Sequence, residues 1–142
     1  MTADIPEFKI RLFQDSDRSD VIELWHRCNL VVPQNDPQHD IDLKLKVQSD
    51  LFFVGTVSNK IVATVMAGYD GHRGWIYYLA VDPDYQRKHI GRRMMAKAES
   101  ALQKRGCPKI NLQVRTSNRA VISFYERLGF SNDDVIGLGK KL

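Results

Sequence analysis

A chain of 142 residues with 43% hydrophobic and 27% charged side chains can bury a real core, which excludes a disordered tail and leaves no comfortable room for a second domain. No run approaches the ~18 apolar residues of a membrane span, and residues 1–9 lack the apolar centre of a secretion signal, so the cytoplasm is the expected compartment. A net charge of +4 favours polyanions only weakly, and the two cysteines, Cys28 and Cys107, have no metal-site spacing or histidine partners and read as reduced thiols.

Along the chain, "FKIRLF" (residues 8–13) alternates polar and apolar side chains and predicts a strand. Behind the capping candidates of "QDSDRSD", Val21, Leu24, Trp25 and Cys28 recur at helical spacing. A second helix opens at Asp36, an N-cap followed by Pro37 at the first helical position. Residues 51–81 hold three β-rich runs separated by the turn compositions Ser58-Asn59 and Asp70-Gly71-His72-Arg73-Gly74, predicting successive antiparallel strands.

From Gly91 to Lys104 a helix puts Met94, Met95, Ala98, Ala101 and Leu102 on one face, with Arg92, Arg93, Lys97 and Lys104 opposite, and Gly106 closes it. "KINLQV" (residues 109–114) predicts a strand. Residues 118–128 predict a helix with Ala120, Val121, Phe124, Tyr125 and Leu128 inward and Gly129 at its end, and a last strand is expected within residues 135–140. The order β, α, α, β, β, β, α, β, α, β implies a single α+β domain over residues 1–142, its mixed sheet mostly antiparallel and flanked by about four helices.

The segment richest in chemistry is "WIYYLAV" running into "DPDYQRKHIGRRMM": strand, short turn, helix N-terminus. The first amides of a helix have no internal partner and lie at the positive end of its dipole, so this geometry suits a pyrophosphate, with Lys88, Arg92 and Arg93 adding charge. From this segment alone an ordinary basic helix start on a solvated face is as good a reading.

Two stretches together carry a resemblance to a known family. "QRKHIG" (Gln86, Arg87, Lys88, His89, Ile90, Gly91) resembles the acetyl-coenzyme A loop of the GCN5-related N-acetyltransferases (GNAT), and "NRAVISFYERLGF" (residues 118–130) resembles their downstream helix. The order of elements resembles that fold over nearly the whole chain. Within the family, stretches such as "GYDGHRGWIYYL", "RGCPKI" and the "LGK" ending resemble the small bacterial YpeA-like members. His89 departs from the pattern, standing where the family usually has glycine; histidine is enriched among the non-glycine residues that accept positive φ, so the turn survives at modest strain.

The resemblance implies transfer of an acetyl group from acetyl-coenzyme A to a primary amine; from the residues themselves no metal and no membrane contact are expected. Cofactor-binding roles fall on Leu79, Ala80 and Val81, whose backbone would meet the pantetheine arm, on Gln86, Arg87, Lys88, His89, Ile90, Gly91 and Arg92, and on Asn118 and Tyr125. Tyr125 would also protonate the departing sulfur. Two of these have ordinary explanations as well, core packing for Tyr125 and N-capping for Asn118.

The base is not legible: "WIYYLAV" has no carboxylate, and Asp70, His72, Glu23 or water held by Tyr77 or Tyr78 stay open. The loop over residues 29–40, near Trp25, is a plausible acceptor wall, and Asp36, Asp40 and Asp42 would suit a cationic amine or simply cap a helix. Two other readings stand beside the enzyme: a non-catalytic acyl-coenzyme A sensor, and a nucleic-acid module using Arg87, Lys88, Arg92 and Arg93, which lacks any base-reading motif. Acceptor and oligomeric state are not legible, and a homodimer stays open.

Overall fold

The computed structural model describes residues 7–142, in two compact units, one ending at Asn111 and one covering residues 112–142. The N-terminal stretch read for a secretion signal lies, up to residue 6, outside the described residues.

The first unit runs β1 (Phe8–Leu12), α1 (Arg18–Arg27), α2 (Pro37–Lys46), β2 (Phe52–Val57), β3 (Lys60–Tyr69), β4 (Gly74–Val81), α3 (Ile90–Lys104) and β5 (Ile110–Asn111). The strands order β1-β2-β3-β4-β5 in one sheet. All pairings are antiparallel except β4–β5, which is parallel and reached through α3. This is the α+β architecture with a mixed sheet that the pattern predicts.

The sheet is covered on both faces, which is why β2 and β3 read as nearly continuous apolar runs. Successive residues of a strand point to opposite faces. Phe52 and Val54 join the cluster built on Val21, Leu24 and Trp25 of α1 and Ile41 of α2. Phe53 and Gly55 instead meet α3: Lys97 lies over the Phe53 ring, and a Cβ at Gly55 would come within 3.0 Å of Met94 Sδ. Met94, Met95, Ala98 and Leu102 of α3 are fully buried, and each large apolar side chain so placed contributes roughly 1.5–3 kcal/mol.

A local signal accounts for the start of α2, while Asp17 ahead of α1 ties the chain to β1 without capping the helix. The Asp36 side chain accepts from the His39 amide with Pro37 at the first position. Asp17 is buried, accepts both Arg11 terminal nitrogens at 2.7 and 2.9 Å and takes the Gln14 amide at 2.8 Å. Burial alone would raise its carboxyl, but the Arg11 hydrogen bonds and the Gln14 amide hold it below the usual carboxylate range. Gly106 ends α3 with φ +81, as a C-cap glycine does.

The second unit contains α4 (Arg119–Arg127), whose N-cap Asn118 accepts from the Val121 amide at 3.3 Å. Gly129 at φ +96 turns the chain so that the Phe130 amide donates back to the Tyr125 carbonyl. Ala120 is exposed rather than inward. The strand expected over residues 109–114 shrinks to Ile110–Asn111, and no strand forms within residues 135–140. Gly137 and Gly139 interrupt that last run, supplying no side chain to pack and weakening strand formation; Val135, Ile136 and Leu138 are left exposed.

Candidate active site

β4 ends in Leu79, Ala80 and Val81, and its two edges differ. Toward β3 the ladder covers most of the strand. Toward β5 it consists of Gly74↔Ile110 and Trp75↔Asn111, so residues 76–81 extend beyond that parallel pairing. Val81 lies opposite Ala63, and the next bond runs from the Asp82 amide to the Val62 carbonyl at 2.8 Å. That pattern makes Val81 and Ala63 a non-hydrogen-bonded pair, so the N–H and C=O of Val81 point away from β3. The Val81 carbonyl accordingly accepts from Cys28 Sγ at 3.3 Å and Gln86 Nε2 at 3.4 Å. Burial, with the nearby Asp82 charge, pushes the Cys28 thiol up, so it is a donor here and not a thiolate.

The turn after β4 is pinned from beneath. Asp82 is 1% exposed, accepts Arg27 Nη1 at 2.7 Å and the Asp84 amide at 2.9 Å, and so ties the chain to α1. Above it Gln86, Arg87, Lys88 and His89 are exposed, while Ile90 is buried and seats the first turn of α3 in the core. Arg87 and His89 both adopt left-handed backbone, at φ 62 and 61. His89 is the N-cap of α3 and its imidazole makes no capping bond. The first intrahelical bond goes from the Arg93 amide to the His89 carbonyl, leaving the amides of Ile90, Gly91 and Arg92 ahead of the ladder. No acidic residue stands in that turn. Unpaired donors and cations at a helix start are chemically suited to an anion.

Of the residues considered as a base, Asp70 accepts the His72 and Arg73 amides, both at 2.8 Å, and these bonds hold its carboxyl below the ordinary range; it builds the hairpin turn. Glu23 lines a shallow charged depression with Asp20, Arg27, Lys60 and Asp82, where Arg27 and Asp82 are already paired. Tyr78 donates its hydroxyl proton to Asp40 Oδ2 at 2.5 Å. Its phenol is raised well above the ordinary value by burial and by that carboxylate.

The sequence reading missed a buried chain of contacts around Tyr78: the ring stacks on Trp25 at 3.8 Å, Trp25 Nε1 donates to Thr64 Oγ1, and Thr64 Oγ1 donates to the Tyr78 carbonyl. Nothing in local spacing signals it, since Asp40, Thr64 and Tyr78 are far apart in the chain.

In the second unit Tyr125 is buried, its ring edge-on to Phe124 and Phe130 with centroids at 5.1 and 5.5 Å. Burial pushes its phenol up to about 12, so it is a protonated donor at neutral pH. Asn118 is occupied as the α4 cap. Among the described residues no group of three or more His, Cys, Asp or Glu is placed to hold a metal ion, and no helix is long and apolar enough to cross a membrane.

Comparison with known proteins settles the family. The model of the Acetyltransferase (GNAT) family matches residues 18–130. The chain belongs to the GNAT acetyltransferase family. Relatives of this GNAT chain include acetyltransferases of Sodalis glossinidius (strain morsitans), 50% identical, and Pectobacterium atrosepticum, 49% identical, each aligned over 94% of this chain and 95% of its own length. Among solved structures it is similar to the ribosomal-protein-S18-alanine N-acetyltransferase from Escherichia coli, at TM-score 0.74 and 27% identity, with 87% of this chain and 77% of that one covered. The fold also matches PaiA N-acetyltransferase from Thermoplasma acidophilum in complex with coenzyme A, at TM-score 0.81 and 19% identity, over 92% and 94% of the two chains. The GNAT acetyltransferase identity fits the strand, turn and helix start described above.

Proposed function

We propose that this acetyltransferase takes the acetyl group of acetyl-coenzyme A and gives it to a primary amine, in one domain spanning both units, as the reach of the family match over residues 18–130 supports. The observation that carries the reading is the Val81 N–H, directed off the ladder at the end of β4 and followed by the amide-rich start of α3.

The residues fit the cosubstrate. The amides of Ile90, Gly91 and Arg92, with Lys88 and Arg92 side chains, would receive the pyrophosphate, and the turn from Gln86 to His89 would wrap it. The outer edge of Leu79, Ala80 and Val81 would pair with the pantetheine arm. The Val81 N–H would donate to the thioester oxygen as the amine nitrogen attacks the carbonyl carbon; one well-placed donor of this kind is worth roughly 3–4 kcal/mol. The carbon–sulfur bond then breaks, an amide forms, and the sulfur takes a proton. Tyr125 is proposed as that donor, supported by its match to the family tyrosine and by a phenol that stays protonated. Asn118 is proposed only as the cap that starts its helix.

The acceptor must arrive neutral. With no carboxylate on β4, its proton passes to water, which favours amines of low pKa: an α-amine near 8 is neutral about one time in ten at pH 7, a lysine only about once in two thousand. Thiol release from acetyl-coenzyme A with a panel of peptides and polyamines tests the reading, with product mass as a second readout. Loss of both turnover and cofactor-induced thermal stabilisation defeats it; binding without turnover on any amine returns the chain to a sensor.

A further inference from the structure

Among the described residues, Tyr78 alone combines a position inside a strand with left-handed backbone, at φ 51. The register explains it. Ala80 pairs with Thr64 and Tyr77 with Met66, so Tyr78 and Leu79 both stand opposite Val65: an extra residue, a bulge in β4. Bulges re-aim the strand beyond them, and a non-glycine residue stays left-handed only where its surroundings over-determine it.

Three ties do so. The Tyr78 carbonyl accepts from Thr64 Oγ1 at 2.8 Å, the ring lies on Trp25 with planes 13° apart, and the hydroxyl donates to Asp40 Oδ2 at 2.5 Å. Trp25 and Thr64 are fully buried and belong to α1 and the sheet. Asp40 is different. It is the last residue of the stretch read as an acceptor wall, lies on α2 in the structure, and reaches 38 residues along the chain to the bulge.

We propose that Asp40 is a positioning residue for acetyl transfer: through the Tyr78 hydroxyl it holds the β4 bulge, and so aims the Val81 N–H three residues further on. This rests on the reading of Val81 as the thioester donor. The Tyr78 phenol remains protonated across the neutral range, so the donor half of the pair is always present. Asp40 needs only an acceptor oxygen for this task, and its charge is dispensable, which separates positioning from direct capture of a cationic substrate.

The test compares wild type, Asp40→Asn and Asp40→Ala, all checked for folding by circular dichroism. Amide hydrogen exchange of residues 79–81 is measured by NMR with coenzyme A bound. Acetyl transfer is measured with acetyl-coenzyme A and the most reactive amine of the panel. Asp40→Ala is expected to speed exchange at Val81 and lower kcat, each by about tenfold, the equivalent of ~1.4 kcal/mol of lost positioning, with coenzyme A affinity within about twofold. Asp40→Asn is expected to restore both, because its Oδ1 accepts the Tyr78 proton. Tyr78→Phe should match Asp40→Ala and add nothing to it in the double variant.

Wild-type exchange and kcat in Asp40→Ala overturn the proposal. So does an Asp40→Asn variant as impaired as Asp40→Ala, which would make the carboxylate charge itself the working group. A wild type without acetyl transfer overturns the functional reading instead, while the exchange comparison still decides whether Asp40 holds the bulge.

Discussion

Replacing His89 with glycine should improve this protein. His89 caps α3 at φ 61 and ψ 18, and its imidazole makes no capping bond. Left-handed backbone costs an L-residue about 1–2 kcal/mol, whereas glycine adopts it freely and loses roughly 0.5–1 kcal/mol in extra unfolded-state entropy. The difference leaves His89→Gly more stable by about 0.5–1 kcal/mol, a rise of about 2–4 °C in Tm for a domain of this size. If the relaxed turn also fits phosphate better, acetyl-coenzyme A binds tighter by up to about fivefold, the equivalent of ~1 kcal/mol. Differential scanning calorimetry and titration calorimetry measure the two effects separately. A fall in Tm together with binding weakened more than about tenfold would refute the reasoning, because the imidazole would then be making a contact that outweighs its backbone cost.

Thr64→Val strips the partner from the buried Trp25 indole N–H and should cost ~1–3 kcal/mol in urea unfolding. Asp17→Ala leaves Arg11 and the Gln14 amide without their acceptor and should cost ~1–3 kcal/mol at pH 7. Because the folded carboxyl of Asp17 lies below its unfolded value near 3.9, that loss should shrink as pH falls below about 4. The Tyr125 phenol has the opposite sign: raised to about 12, it adds stability that is complete below about pH 10 and disappears as pH climbs toward 12, by ~2–3 kcal/mol, and Tyr125→Phe should flatten that alkaline limb. With water as the proton sink, kcat/KM should rise tenfold per pH unit up to the acceptor's own pKa, near 8 for an α-amine and ~10.4 for a lysine; a pH-independent rate would require a base in the protein.

What the sequence made legible follows the range of each signal. The caps at Asp36 and Asn118, the turns at Ser58-Asn59 and Asp70, and the glycine stops at Gly106 and Gly129 act within four residues and appear where expected. The turn from β4 into α3 was legible for the same reason, being one contiguous run from strand to helix. The β4 bulge was not: "WIYYLAV" scans as an unbroken strand, and the extra residue exists only against the register of β3. Neither was the Tyr78–Asp40 bond, which depends on how α2 lies against the sheet. Overreach came where apolar composition stood in for pairing, as in residues 135–140, whose valine and isoleucine suggested a strand that the neighbouring glycines do not sustain.

The neighbour-to-neighbour strand order has a bearing on how the molecule is made. From β2 through β4 each strand pairs with the one just synthesised, closing only the short Asn59 and Gly71 turns, so little loop entropy opposes the meander. Local pairings of this kind form early, and the single parallel crossing through α3 closes later. The strand end bearing Val81 thus belongs to the part of the sheet expected to assemble while the C-terminal residues are still being added, and mutations in β2–β4 should slow refolding more than those in β5.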